Sequence, residues 1–177
     1  MPDRAEQLKQ QATDLYKQKG YLPAAQLFGE AAELYREAGN ETASAEMHNN
    51  RSVALLQSGD AAQALQASAG TDQVFALAGE VRLQAMALSN QAAALEELGR
   101  QAEALALYQQ ASALLQSTGE TEMRSIILKR ISSLKMRSGK ALESLATMDS
   151  ALTIEKPASP KEKLIKRLLK IVNHNIR

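Results

Sequence analysis

Leu88–Glu120 reads LSNQAAALEELGRQAEALALYQQASALLQSTGE, and the spacing of its apolar residues decides the fold. Leu88, Ala92, Leu95 and Leu98 recur every third or fourth residue, as do Ala104, Leu107 or Tyr108, Ala111 and Leu114 or Leu115. That spacing gathers apolar groups on one face of a helix. The stretch is therefore a helical hairpin that turns at Gly99, where glycine accepts the left-handed backbone that closes a helix. Ala92, Ala104 and Ala111 fall where the two helices must approach closely, and Leu95 and Tyr108 fill the space between them. Alternation of small and large side chains lets facing helices interlock.

The hairpin is repeated. Gly59, Gly99 and Gly139 stand 40 residues apart, each followed within five residues by a small residue, Ala64, Ala104 or Ser144. One period earlier the register falls on Lys19, with Gly20 next to it and Ala24 five places on. The small and bulky positions are Ala12, Tyr16, Tyr21, Ala24, Phe28 and Ala31 in the first unit, and Ser52, Leu55, Gly59, Ala64 and Ser68 in the second. The third unit has Ala92, Leu95, Gly99, Ala104, Tyr108 and Ala111; the fourth has Ser132, Gly139, Ser144, Met148 and Ala151. This pattern resembles the tetratricopeptide repeat (TPR) family, in its branch with long repeats of 40 residues, since the family's usual period is about 34. Soluble NSF attachment proteins are similar in hairpin period. The resemblance implies an all-α, right-handed solenoid of four TPR-like hairpins that serves as a non-catalytic protein-interaction scaffold.

Four repeats are expected at about 2–40, 41–79, 80–119 and 120–156 within a single domain over 1–177. The first has helices near 3–19 and 22–38, with Pro23 in the first turn of the second. Ala69-Gly70-Thr71-Asp72 interrupts the second unit. Repeat spacing carries the helix through Gly70, with the glycine allowing a close contact; the alternative is a break, because Gly disfavours helix and Thr-Asp can cap a new one. After Lys156-Pro157-Ala158-Ser159-Pro160, the residues Leu164, Ile165, Leu168, Leu169 and Val172 predict a capping helix at about 160–175 that covers the last hairpin.

Composition narrows the function. Hydrophobic residues make up 45% of the 177, enough for a real core, but aromatics only 3%, which suits close-packed helices better than a sheet. The absence of Cys excludes disulfides, thiolate metal sites and cysteine nucleophiles. The start, MPDRAEQLKQQ, has no apolar core of a signal peptide, and the longest uncharged stretch, 104–119, is too short and too rich in Gln and Ser to span a bilayer, so a cytoplasmic protein is expected. Residues 1–122 carry 8 Lys and Arg against 16 Asp and Glu, a net of −8; residues 123–177 carry 13 against 4, a net of +9. This dipole can steer an acidic partner to the C-terminal end or favour head-to-tail homo-oligomers.

No residue set supports catalysis or a cofactor. His48 and His174 lack a second His or a carboxylate at helical ligand spacing, and His48 falls where the repeat expects packing between hairpins. Glu96 and Glu97 are adjacent and diverge, and no phosphate-cradling loop or nucleophile elbow is present. Binding is better supported. In the TPR family the first helices of successive units line the concave groove, so the resemblance implies a peptide-binding groove of Lys9, Thr13, Asn49, Asn50, Met86, Asn90, Lys129, Arg130 and Arg137. Asn50 and Asn90 are one period apart, and an amide can hold a peptide backbone through donors and an acceptor together. The alternatives for these amides are exposed polar surface or contacts between hairpins. Asn50–Asp60, NRSVALLQSGD, also resembles co-chaperone repeats that grip a C-terminal carboxylate with two Lys, two Asn and an Arg. The matching places are Lys9, Thr13, Asn50, Met86 and Asn90, of which only Lys9 and Asn50 keep the residue type, and that departure argues against such a clamp.

Lys129, Arg130 and Arg137 form instead a positive wall suited to an acidic peptide or helix. The basic tail from Lys156 has no aromatic residue to stack on a base, which disfavours nucleic acid. It could serve self-association or contact with a membrane surface, the alternative to groove binding.

Overall fold

The computed structural model describes residues 2–154 and residue 165. Two compact units divide the chain, Met1–Leu107 and Tyr108–Arg177. Every element among the described residues is an α-helix: α1 (Pro2–Lys17), α2 (Tyr21–Glu37), α3 (Glu41–Gln57), α4 (Ala61–Ser68), α5 (Thr71–Leu77), α6 (Val81–Glu97), α7 (Gln101–Thr118), α8 (Thr121–Arg137) and α9 (Ala141–Ile154). The capping helix expected at about 160–175 lies outside the described residues, apart from Ile165, which is helical and partly buried.

One turn joins nearly all of these helices. A left-handed residue recurs every 20 positions, at Lys19, Gly39, Gly59, Gly79, Gly99, Gly119 and Gly139. Its own N–H and that of the next residue close back onto the helix they leave: Gly39 N to Arg36 O at 2.9 Å and Asn40 N to Tyr35 O at 2.8 Å, or Gly99 N to Glu96 O at 3.0 Å and Arg100 N to Leu95 O at 2.9 Å. This is the Schellman arrangement, which satisfies the last carbonyls of a helix and reverses the chain. The first turn departs from the rest, since Lys19 takes φ 65° although Gly20 is beside it. Asn40 and Asp60 then cap the next helices, each accepting from a backbone N–H three residues on at 3.0 Å.

In the first unit, the turns bring Leu8 and Ala12 of α1 against Ala24, Ala25, Phe28, Ala31 and Ala32 of α2, and these against Met47, Ala54 and Leu55 of α3, Ala64 of α4 and Ala94 of α6. Alanine at the contact points lets the helix backbones approach closely. Ala92 and Ala104 are fully buried, as their spacing predicts, but Leu98, read with the same apolar face, is 40% exposed at its helix end.

The reading of a continuous helix through Gly70 is corrected. Helix α4 stops at Ser68, Gly70 takes φ 77°, and α5 restarts at Thr71. Nor does Gly70 permit a close contact, because a Cβ there would meet nothing within 4 Å; its backbone angle is what requires glycine. The break persists because the Ser68 carbonyl it releases is satisfied twice, by the Thr71 hydroxyl at 2.8 Å and by the Gln91 amide of α6 at 2.9 Å. Gln91 also donates to Asp72 at 2.9 Å. Restarting the helix places the fully buried Phe75 against Ala45 of α3 and Ala87 of α6, with Val74 and Leu83 alongside.

In the second unit, α8 packs against α9, and Ile127, Leu128, Ile131 and Leu134 of α8 and Ala151 and Leu152 of α9 are buried. Serines at the small positions add a polar seam between them. Ser125 Oγ donates to Ala151 O at 3.1 Å, and Ser132 and Ser144 each donate to the other's carbonyl, at 2.9 and 2.7 Å. Lys135 Nζ adds a hydrogen bond to Thr147 at 3.1 Å and an ion pair with Glu143 at 3.5 Å.

Two substitutions test this account of the fold. Lys19→Gly removes the side-chain penalty of a left-handed residue and is expected to raise stability by about 1 kcal/mol in urea unfolding. Phe75→Ala is expected to cost about 3–5 kcal/mol by the same measurement, the range for emptying a buried aromatic site.

Candidate functional site

The first helices of successive hairpins in the first unit, α1, α3 and α6, carry six of the nine residues predicted for the groove. Lys9 on α1 reaches Glu46 on α3 at 3.6 Å and Glu6 on its own helix at 3.9 Å. Glu6 also accepts from the Tyr35 hydroxyl at 2.7 Å. Burial, with the Glu6 carboxylate behind it, pushes the Tyr35 phenol up to about 12. Lys9 is thus paired within the chain, with partners that hold it between α1 and α3.

Asn90 Nδ2 on α6 donates to Asn49 Oδ1 on α3 at 2.9 Å. Asn49 is 4% exposed, so its amide faces a neighbouring helix and positions Asn90. For Asn90 this bond is a contact between hairpins, α3 belonging to one and α6 to the next. Asn90 and Met86 are half-buried on α6.

Thr13 and Asn50 come together. They line a cleft of about 220 Å³ with Tyr16 of α1, Phe28 of α2 and Val53 of α3. The Thr13 hydroxyl donates to Lys9 O at 2.8 Å, which leaves its oxygen as an acceptor toward the cleft. Phe28 is buried at 4% exposure and Tyr16 is half-buried, its ring 5.4 Å from that of Tyr21. The cleft therefore joins an apolar floor to polar groups at its rim, the combination that holds a side chain and orients the backbone beside it.

The remaining predicted residues lie in the second unit, on α8. Lys129 is half-buried, Arg130 and Arg137 are exposed, and Lys129 and Arg137 each already take part in a polar or charge interaction. The basic tail from Lys156 lies outside the described residues, apart from Ile165.

His48 is half-buried beside a polar cleft that it lines with Arg51. Burial and then the Arg51 charge hold its imidazole below the usual value. Among the described residues no group of His, Asp and Glu could hold a metal ion, and no helix is long and apolar enough to cross a membrane.

The family model described as soluble NSF attachment protein, SNAP, matches residues 2–151. The chain belongs to that family. In fold, this SNAP-family chain matches 27 solved chains. One is a Podosopora anserina protein described as a kinesin light chain with nearly identical TPR-like repeats. It shares 13% identity, covers 99% of this chain and 89% of its own, and superposes with a TM-score of 0.77. That likeness is one of fold, and it makes the SNAP-family chain a TPR-like helical-repeat protein, all-α as its sequence predicts. A comparison with curated proteins finds no match.

Sequence reasoning missed Glu46 as the partner of Lys9 and Arg51 as a cleft residue. Asn90→Ala in this SNAP-family chain leaves the buried Asn49 oxygen unsatisfied and is expected to cost about 1–3 kcal/mol in urea unfolding. Adding Asn49→Ala should recover part of that loss, because both polar partners are then gone.

Proposed function

We propose that the chain is a non-catalytic attachment scaffold that holds an extended or helical segment of a partner protein across α1 and α3. The observation that carries this reading is the cleft where Thr13, Tyr16, Phe28, Asn50 and Val53 meet. Phe28 and Val53 offer an apolar seat, and the Asn50 amide can pair with a peptide N–H or carbonyl whatever the peptide's side chains. Beside it, the Lys9–Glu46 and Asn90–Asn49 pairs restrain the first helices, so little ordering remains to be done on binding.

The family name describes attachment to NSF by its members; what this chain takes from it is the mode, attachment to another protein through helical repeats. A partner bound here is expected to be neutral or mixed in charge at the cleft, since its five lining side chains carry no charge. A cytoplasmic location fits this role.

The test is capture from native lysate with the wild-type chain and with Asn50→Ala/Val53→Glu, after circular dichroism has shown both to be helical. The expected result is a partner retained by the wild type and reduced about tenfold or more by the variant, since a buried carboxylate opposes an apolar contact. Equal capture by both would contradict the assignment of the cleft.

A further inference from the structure

Helix α3 has a second set of functional groups on its other side. At 3.6 residues per turn, His48 and Arg51 project about half a turn from Asn50 and Val53. They line a cleft of about 360 Å³ together with Gln63, Gln66 and Ala67 of α4 and with Ala69. Ala69, at the break after Ser68, forms one end of this cleft. Arg51 also lines the adjoining cleft of about 420 Å³ with Leu22, Ala25, Gly29, Glu33 and Leu55, and thus stands between the two.

The Arg51 side chain lies over Gly29 of α2; a Cβ added there would be 3.4 Å from its Nη1 and 3.5 Å from its Cζ. Its Nε is shielded from water and has no hydrogen-bond partner. A guanidinium donor left unspent at the wall of a polar cleft is an unmet demand for an acceptor. Gln63 spends one N–H on Asp60 at 2.6 Å, while its oxygen and the Gln66 amide remain to complete a polar lining.

We propose that this cleft binds a carboxylate group of a peptide, with Arg51 as its fork-shaped donor and His48 as the second contact. Once the guanidinium turns Nε toward the cleft, Nε and one Nη can donate to a carboxylate through two parallel bonds. The apolar residue next to that carboxylate fits against Leu22, which is 61% exposed, and Leu55 in the adjoining cleft. Charge balance favours a monoanion over phosphate. At neutral pH the cleft offers one full positive charge, Glu33 stands nearby, and the Ala69 N–H is already spent on Gln66 O.

Three charged groups act on His48: Arg51 and Arg36 lower its proton affinity and Glu33 raises it. A bound carboxylate adds to the raising side. His48 therefore gains a proton more readily in the complex, and binding strengthens as pH falls toward the imidazole range.

The chain has only two histidines, so NMR of the full chain can follow both His48 and His174. Titrations with 4-methylpentanoate, a monocarboxylate with an apolar tail, with inorganic phosphate and with two short peptides test the site. One peptide has its sole carboxylate on a Glu side chain, the other at its C-terminus, and the tighter of the two identifies the source. The monocarboxylate is expected to raise the His48 pKa by about one unit or more, leaving His174 unmoved. Arg51→Gln should weaken its binding at least about tenfold, with Arg51→Lys in between, because lysine keeps the charge and loses the fork. An unmoved His48, equal shifts at both histidines, or a response to phosphate without one to the monocarboxylate would overturn the proposal. If Arg51→Gln fails to fold by circular dichroism, the wild-type titration and Arg51→Lys still decide.

Discussion

A left-handed residue at the end of nearly every helix is the constraint on which the fold depends. It recurs every 20 positions from Lys19 to Gly139, and its paired hydrogen bonds fix where the chain leaves one helix and enters the next. Because the exit direction is fixed, the helices pair antiparallel and their contact points recur in register. That regularity lets Ala12, Ala24, Ala31, Ala64, Ala92 and Ala104 sit fully buried where backbones come closest. A core poor in aromatics is stable under these conditions because close packing of many small groups replaces the burial of a few large ones.

The hairpins were legible in the sequence because glycine at the turn and alanine at the crossing are local requirements. The turn itself recurs at half the 40-residue hairpin period, since Gly39, Gly79 and Gly119, between hairpins, belong to the same series as Gly59, Gly99 and Gly139 within them. Gly70 was misread for a physical reason. Local spacing permits α4 to continue, and what ends it is the reward elsewhere: Gln91 of α6 satisfies the freed Ser68 carbonyl and Phe75 fills a site between α3 and α6. Such tertiary compensation has no signature within the segment itself.

The candidate site was legible only as a choice of helices. The rule that first helices face the groove selected Thr13 and Asn50, which do share a cleft, but it also selected Asn49, whose buried amide serves α6. A residue type cannot show which of two neighbouring amides points outward, because one residue on a helix is a rotation of about 100°. Glu46 and Arg51 escaped notice for the same reason: a charge on α3 takes its meaning from the helix opposite.

Helix α3 emerges as the element with work on two sides. Asn50 and Val53 join α1 and α2 around a small uncharged cleft, and His48 and Arg51 meet α4 around a polar one. Its buried side, through Met47, Ala54 and Leu55, belongs to the core of the first unit, so the two clefts share a rigid support. The most direct measurement of the central claim is photo-crosslinking of a captured partner, with the reactive side chain placed in turn at position 53 and at exposed position 102 on α7. The account predicts a crosslinked partner peptide from position 53 and none from position 102. A crosslink from 102 alone, or equal yields from both, would contradict the placement of the partner across α1 and α3.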